Sequence, residues 1–190
     1  MIEELVLKSR SVRRFYQDVP ISQDTLTWLV NLARLTPSAA NLQPLKYILS
    51  NEPVRNALIF PCLAWAGYLK DWPGPAEGER PSAYILVLGD TGISKNFWCD
   101  HGIVSQTMLL GAREQGFGGC IIASIKKDEL RKALEIPEKY EILLALALGK
   151  PKEEIIIKEI DDGESIKYWR DERQVHYVPK RKLDDIIIMR

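Results

Sequence analysis

Apolar residues recur along the chain in two different periods, and each period predicts one type of element. Helical spacing, with apolar positions three and four residues apart, predicts amphipathic helices. Ser22 is a favourable N-cap for one of them, and Gly116 is a favourable stop after the longest. The predicted helices cover residues 2–8, 22–35, 53–60, 96–115 and 128–134.

Continuous apolar runs bounded by Gly and Pro predict buried strands. The predicted strands cover residues 47–49, 83–88, 118–124 and 142–148. A further run, 183–189, has strand character and ends a charged arm that begins at residue 152. An apolar strand in this position often docks on a partner protomer. Because strands and helices alternate irregularly around one core, the residues predict an α/β or an α+β class.

Residues 61–81 differ from the rest of the chain. They contain four prolines and three glycines, interleaved with Trp65, Tyr68 and Trp72. A long irregular segment inside a compact domain is typical of a lid or a binding loop. An aromatic plug that covers the core is an equally good interpretation.

Composition narrows the classes of function. A chain of 190 residues suits one domain. With 26 basic and 26 acidic residues, the net charge gives no general attraction to nucleic acid or anionic lipid. We expect no transmembrane helix and no signal peptide, and therefore a cytoplasmic protein. Three cysteines (Cys62, Cys99 and Cys120) and two histidines lie too far apart along the sequence to predict a metal site.

Four segments carry candidate chemistry. Residues 9–15 offer three guanidiniums and two hydroxyls, which suit a phosphate or an anionic ring edge. Residues 37–44 combine small side chains with amides, residues 115–120 are rich in glycine, and residues 179–182 hold three cations. Taken singly, residues 9–15 are better explained by a solvated basic turn and residues 37–44 by an ordinary loop, and residues 179–182 fit a solvated charged turn.

Together these segments resemble the FMN-dependent nitroreductase family. The matching motifs occur in the order of that family and span nearly the whole chain. They are RSVRRF from Arg10, PSAANLQP from Pro37, GFGG from Gly116, LGKP from Leu148 and PKR from Pro179. The chain departs from the family pattern at Ser9, where many members have a basic residue, and at Leu45, where many have Trp.

The resemblance implies an α+β sandwich with a mixed central sheet flanked by helices. It further implies a single domain over residues 1–190 and a homodimer in which the C-terminal tails cross to the partner. Residues 152–190 would then be an arm that wraps the dimer. Residues 61–81 are a candidate substrate-cap insertion on their own composition, with the aromatic plug as the alternative. FMN would lie at the interface.

The resemblance also implies roles for individual residues. Arg13 would reach the pyrimidine edge of the flavin, where a cation stabilises the negative charge of reduction. Arg10 and Ser11 would contact the phosphate and ribityl chain, with Lys180 and Arg181 completing the phosphate site. The backbone at Ala123 and Ser124 would lie near flavin N5. The partner protomer would contribute Ser38, Ala39, Asn41 and Gln43.

The implied activity follows from the cofactor. NADH or NADPH would reduce FMN and leave, and a small-molecule acceptor such as a nitroaromatic or a quinone would then take the electrons, in a ping-pong scheme. No catalytic side chain is required, and Trp65, Tyr68 and Trp72 are the candidate substrate contacts. Two alternatives stay open: a flavin-binding module with little turnover, and a phosphate-ligand binding protein without flavin.

Overall fold

The computed structural model describes residues 1–189, which form an α+β fold. The helices are α1 (Ile2–Lys8), α2 (Gln23–Arg34), α3 (Pro53–Ile59), α4 (Asp100–Glu114), α5 (Lys127–Ala133) and α6 (Leu183–Ile186). The strands are β1 (Phe15–Tyr16), β2 (Leu45–Ser50), β3 (Ala83–Asp90), β4 (Gly118–Ile122), β5 (Tyr140–Pro151), β6 (Ile155–Ile160), β7 (Trp169–Arg170) and β8 (His176–Arg181). Two 3₁₀ turns, Ala39–Asn41 and Phe60–Cys62, lie in the connections.

The strands form two sheets. In the larger sheet β2, β3, β5 and β4 lie side by side, and β1 pairs with the far end of β5. The strand pairs of this sheet are antiparallel. The smaller sheet has the order β6-β8-β7, with β6 and β8 parallel. The C-terminal arm therefore builds its own sheet beside the main one.

Strand β3 shows how the core divides between two layers. All eight of its residues are buried, and successive side chains point to opposite faces of the sheet. Ala83, Ile85 and Val87 belong to the layer that α2 and α4 cover, whereas Tyr84, Leu86 and Leu88 face the layer that contains α3 and α5 residues. A strand buried on both faces is expected to be continuously apolar, as the sequence of β3 is from Ala83 to Leu88.

Helix α2 confirms the predicted cap and the predicted core face. The Ser22 hydroxyl accepts a hydrogen bond from the Thr25 N–H at 3.0 Å, which satisfies one unpaired donor of the first turn. Leu26, Leu29 and Ala33 are its buried residues, and they lie in the layer shared with α4.

Apart from the strand predicted over residues 183–189, the other predicted elements are present, with two informative shifts at their ends. Helix α4 begins at Asp100 rather than at residue 96, because Asn96 uses its side chain to accept from the Trp98 N–H at 3.0 Å. Trp98 has a positive φ of 38°, which a helix cannot contain. Strand β4 ends at Ile122, so Ala123 and Ser124 lie just beyond it.

The C-terminal arm departs most from the prediction. The predicted strand over residues 183–189 is wrong: Leu183–Ile186 forms the short helix α6, and no strand follows within the described residues. Asp184 and Asp185 occupy its first turn, where negative charge is favourable beside the unpaired N–H groups. Arg190, the last residue of the predicted arm, lies outside the described residues.

In the described part of the chain, none of the helices has both the length and the apolar character that crossing a membrane requires.

Candidate functional site

A cavity of about 200 Å³ brings together residues from four distant segments of the chain. Arg13 follows the N-terminal helix, Trp65 belongs to the irregular segment, and Ala123 and Ser124 follow β4. Tyr168, from the C-terminal arm, closes the cavity. The residues predicted to contact the pyrimidine edge of the flavin, flavin N5 and the substrate therefore include four that line one cavity.

The N-terminal basic segment reaches this cavity because it pairs with β4. Ser11 forms a parallel bridge with Gly119, and the Val12 N–H donates to the Gly119 carbonyl at 3.0 Å. Gly119 is also needed for the pairing of β4 with β5, since a Cβ there would lie 2.3 Å from the backbone oxygen of Ala147. The missing side chain lets these two strands approach each other.

Arg13 stands at the wall of the cavity with most of its hydrogen-bonding capacity unused. Its Nη1 donates to the Ser11 carbonyl at 3.1 Å, and its guanidinium lies 5.1 Å from the centre of the Tyr168 ring. Its backbone N–H donates to a carboxylate oxygen of Glu153. The guanidinium is therefore oriented from both sides, while donors remain for a ligand.

Tyr168 is the cavity residue that sequence reasoning missed. Its ring stacks on His176 with 5.3 Å between ring centres and meets the Tyr68 ring at 5.0 Å. Its hydroxyl accepts a hydrogen bond from the Tyr68 N–H at 3.3 Å. The only signal in the sequence was the aromatic pair at residues 168 and 169 within an otherwise charged arm.

A buried charged cluster supports Tyr168 from behind. The fully buried Glu153 carboxylate accepts from Arg170 Nη2 at 2.9 Å. His176 is also fully buried. Burial and the nearby charges of Arg13 and Arg170 lower the pKa of His176 to about 4. His176 is therefore neutral near pH 7 and forms no ion pair with Glu153, although 3.8 Å separates them.

The three predicted substrate aromatics do not share one surface. Trp65 lines the cavity and packs on Phe60 at 5.7 Å between ring centres. Tyr68 reaches the cavity only through Tyr168. Trp72 lies instead under the Arg170 guanidinium, 4.3 Å from it, and lines a different cavity with Arg14. The segment thus acts in part as a cover for the core and in part as a cavity wall.

The predicted phosphate contacts are dispersed. Arg10 donates to the carbonyls of Ser9 and Val6 at 2.8 and 2.7 Å, so it caps the end of α1. Arg181 pairs with Asp162 at 3.1 Å, and Lys180 is exposed beside it on β8. Neither of these two cations lines the Arg13 cavity.

The predicted interface loop lies on the other face of the larger sheet. Buried Asp100 holds it, accepting from the Ser38 hydroxyl at 2.6 Å and from the Ala39 N–H at 3.0 Å. Asn41 and Gln43 follow with positive φ values of 55° and 51°, a conformation that non-glycine residues seldom adopt. Ser38 and Gln43 line a cavity of about 210 Å³ between α2 and β2. A single chain therefore keeps this loop apart from Arg13.

Cys120 lies at the floor of the Arg13 cavity but is not a nucleophile. It is 1% exposed, and burial raises the pKa of its thiol to about 12. A thiol in that state carries almost no thiolate near pH 7.

Comparison with known proteins gives these segments a common context. The sequence model of the nitroreductase family matches residues 6–71 and 79–150, well over half of the chain. A 5,6-dimethylbenzimidazole synthase of Rhodospirillum rubrum is 26% identical over 181 residues, covering 80% of this chain and 82% of that protein. A 4-nitrobenzoate reductase of Pseudomonas putida is 22% identical, and the match covers 83% of this chain and 88% of that protein.

The fold agrees with the sequence match. An FMN-dependent nitroreductase of Clostridium difficile R20291 superposes with a TM-score of 0.66 at 24% identity, covering 81% of this chain and 89% of that one. The matched residues include Arg13, Trp65, Ala123 and Ser124, whereas Tyr168 lies beyond them. The chain belongs to the nitroreductase family.

Proposed function

We propose that this protein is an FMN-dependent NAD(P)H oxidoreductase that reduces an electron-poor small molecule. The observation that carries the proposal is the cavity shared by Arg13, Trp65, Ala123 and Ser124. These residues come from segments that are distant in sequence. The family resemblance implies flavin contact for Arg13, Ala123 and Ser124, and Trp65 is the substrate candidate of the irregular segment.

The cavity suits the ring end of FMN. Arg13 offers guanidinium N–H groups, and Ala123 and Ser124 are exposed at the opening beyond β4. A volume of about 200 Å³ is below the roughly 300–1,000 Å³ of complete ligand sites. One chain therefore accommodates part of the cofactor, and a second copy would supply the rest.

The chain's own residues would perform three tasks. Arg13 would hold a positive charge where negative charge develops, which stabilises the reduced state. Tyr168 and Trp65 would form flat walls against which a planar acceptor stacks, and they would exclude water. FMN, when bound, supplies the redox chemistry: hydride taken from NADH or NADPH, then electrons delivered to the acceptor.

The proposed chemistry divides into two half-reactions, reduction of FMN by the nicotinamide and reoxidation of FMN by the acceptor. We therefore propose a ping-pong scheme in which the oxidised nicotinamide leaves before the acceptor enters. The proposed acceptors are electron-poor planar molecules such as nitroaromatics or quinones.

The homodimer belongs to the same proposal. The loop at 38–43 and the Arg13 cavity lie on different faces of one chain, so a twofold partner is the simplest way to join them. The exposed apolar tail, including Leu183 and Ile186, offers surface for such an exchange. A cytoplasmic location accompanies the proposal, consistent with three free cysteines.

The test is FMN binding by an Arg13→Gln variant. The purified protein should be yellow and should quench FMN fluorescence on binding. Losing one charge-assisted contact costs about 1.5–3 kcal/mol, so the Kd should rise roughly 10- to 100-fold. Arg173→Gln, an exposed arginine on the turn before β8, is the matched control and should bind as the wild type does. Wild-type protein that binds no FMN, or equal affinity in Arg13→Gln, contradicts the proposal.

A further inference from the structure

A second cavity, of about 340 Å³, opens between β1, α3 and the start of β3. It shares no lining residue with the Arg13 cavity or with the cavity beside Ser38. Its wall is mostly apolar, with Phe60 and three prolines, Pro20, Pro53 and Pro81. Nothing in the proposed redox function uses it.

Three buried polar atoms on residues that line this cavity lack a hydrogen-bond partner within residues 1–189. They are Arg80 Nε, Ser82 Oγ and the Tyr84 hydroxyl. Ser82 is 9% exposed and Tyr84 1% exposed. Buried polar groups in folded proteins almost always have a partner. The three atoms lie on residues that line one space, which makes a polar molecule in that space a candidate partner for them.

Arg80 gives the cavity its charge. Its guanidinium lies 4.4 Å from the centre of the Phe60 ring, and no carboxylate in the described part of the chain pairs with it. Its neighbour in sequence, Glu79, is engaged by Arg14 and Lys152. The Gln17 side chain accepts from the Arg80 N–H at 3.1 Å, which holds the backbone of this residue in place.

The other polar groups act as scaffold or lie at the opening. Asn56 is committed on both ends, because it accepts from the Ser50 hydroxyl at 2.7 Å and donates to the Ser82 carbonyl at 2.8 Å. Asp18 is exposed among the lining residues, where water screens its charge. Burial raises the pKa of the Tyr84 hydroxyl above its ordinary value, so this group remains a donor.

We propose that this cavity binds a small organic carboxylate. The carboxylate would accept from the Arg80 guanidinium, whose planar fork matches its geometry, and from the hydroxyls of Ser82 and Tyr84. The apolar body of the ligand would lie against Phe60 and the prolines. The volume is near the lower end of small-molecule sites, which limits the ligand to a compact molecule.

The test uses benzoate as the probe and benzyl alcohol as its uncharged analogue. Each is titrated by calorimetry into the protein with saturating FMN, and the benzoate binding that Arg80→Gln removes is assigned to this cavity. Benzoate should bind there, and benzyl alcohol at least about tenfold more weakly, because the charge-assisted contact is absent. Arg80→Gln should weaken benzoate by a similar factor and Tyr84→Phe by a few-fold.

Arg173→Gln is the matched control and should leave benzoate binding unchanged. Equal binding of benzoate by wild type and Arg80→Gln overturns the proposal. So does a wild type that does not distinguish benzoate from benzyl alcohol, since ordered water alone would then complete the three groups.

A measurement on the unmutated protein guards against a variant that fails to fold. Benzoate should shift the NMR resonance of the Arg80 Nε–H and leave that of Arg173 in place. An unmoved Arg80 resonance at saturating benzoate contradicts the proposal. This outcome is independent of FMN binding, so the two proposals fail or succeed separately.

Discussion

At the scale of single residues, Gly119 decides whether the cavity can form. Its carbonyl accepts from the Val12 N–H, and its missing side chain lets β4 lie against Ala147 of β5. Arg13 follows directly on this contact. The position of the Arg13 guanidinium therefore depends on Gly119 of β4 having no side chain.

Gly119→Ala is expected to destabilise the fold and to weaken FMN binding together. The added Cβ meets backbone, which cannot rotate away, and overpacking of this kind costs about 1–3 kcal/mol. For a domain of this size the melting temperature should fall by roughly 3–10 °C. Thermal melts monitored by circular dichroism, with FMN affinity measured in parallel, check both effects.

Gly102→Ala is the matched control in α4. A Cβ at Gly102 meets nothing within 4 Å, and Ala in a helix gains about 0.5–1 kcal/mol over Gly. The melting temperature should stay level or rise. An equal loss in both variants would show that the crossing at Gly119 has no special role.

At the scale of elements, the irregular segment 61–81 is held at its end by one carboxylate. Glu79 accepts from Arg14 at 2.6 and 2.7 Å and pairs with Lys152 at 3.0 Å. The Glu79 carbonyl also accepts from the Phe15 N–H of β1. Through these contacts, the segment that carries Trp65 is anchored to the larger sheet.

This anchor predicts a dependence of stability on pH. The contacts with Arg14, and then Lys152, lower the pKa of Glu79 from 4.5 to about 2. A carboxyl with a lowered folded-state pKa adds stability above its unfolded pKa and loses it as the pH falls through the folded value. Stability should therefore decrease between about pH 4.5 and pH 2. Glu79→Gln should be less stable near pH 7 and should show a shallower decline in that window.

Glu77→Gln, two residues away in the same segment and exposed, is the control and should follow the wild-type pH profile. Melting temperatures across the window, with tryptophan fluorescence as a second signal, provide the measurement. A Glu79→Gln profile as steep as that of the wild type would contradict the role given to this carboxylate.

The elements also show what the sequence could predict and what it could not. The amphipathic helix α2 follows from the helical spacing of its apolar residues, and the buried strand β3 from its continuous apolar run. The small sheet does not follow from a local pattern, since residues 161–175 separate β6 from β8. Tyr168 and Glu153 belong to that arm, and no motif in the sequence indicated their place beside the cavity.

Candidate site residues could be predicted from the sequence only in segments that carry family-like motifs. Arg13, Ala123, Ser124 and Trp65 line one cavity, and their contact with FMN or substrate stays a prediction. Lys180 and Arg181 do not line it: in the single chain Arg181 pairs with Asp162, and Lys180 is exposed. Their role in the phosphate site stays a prediction that depends on the partner.

At the scale of the whole molecule, the exposed tail predicts self-association. Ile186 is 61% exposed, Ile188 95% and Met189 88%. Covering such side chains contributes roughly 25 cal/mol per Å² of apolar surface. Ile186→Lys should therefore shift the protein from dimer towards monomer and weaken FMN binding, because the loop at 38–43 would no longer reach the partner's cavity.

Ile93→Lys, at a similarly exposed isoleucine in the turn after β3, should leave the dimer intact. Size-exclusion chromatography with light scattering reads the mass of both variants. A wild type that is monomeric while carrying FMN would contradict the dimeric site.

The most direct test of the central claim is an anaerobic titration of the FMN-loaded protein with NADH and, separately, with NADPH. At least one of the two should bleach the visible flavin absorbance stoichiometrically, and a quinone or nitroaromatic added afterwards should restore it. A ping-pong scheme requires this order, in which the nucleotide reduces the flavin before the acceptor oxidises it. Flavin that neither nucleotide bleaches would contradict the account and would indicate a flavin-binding module instead.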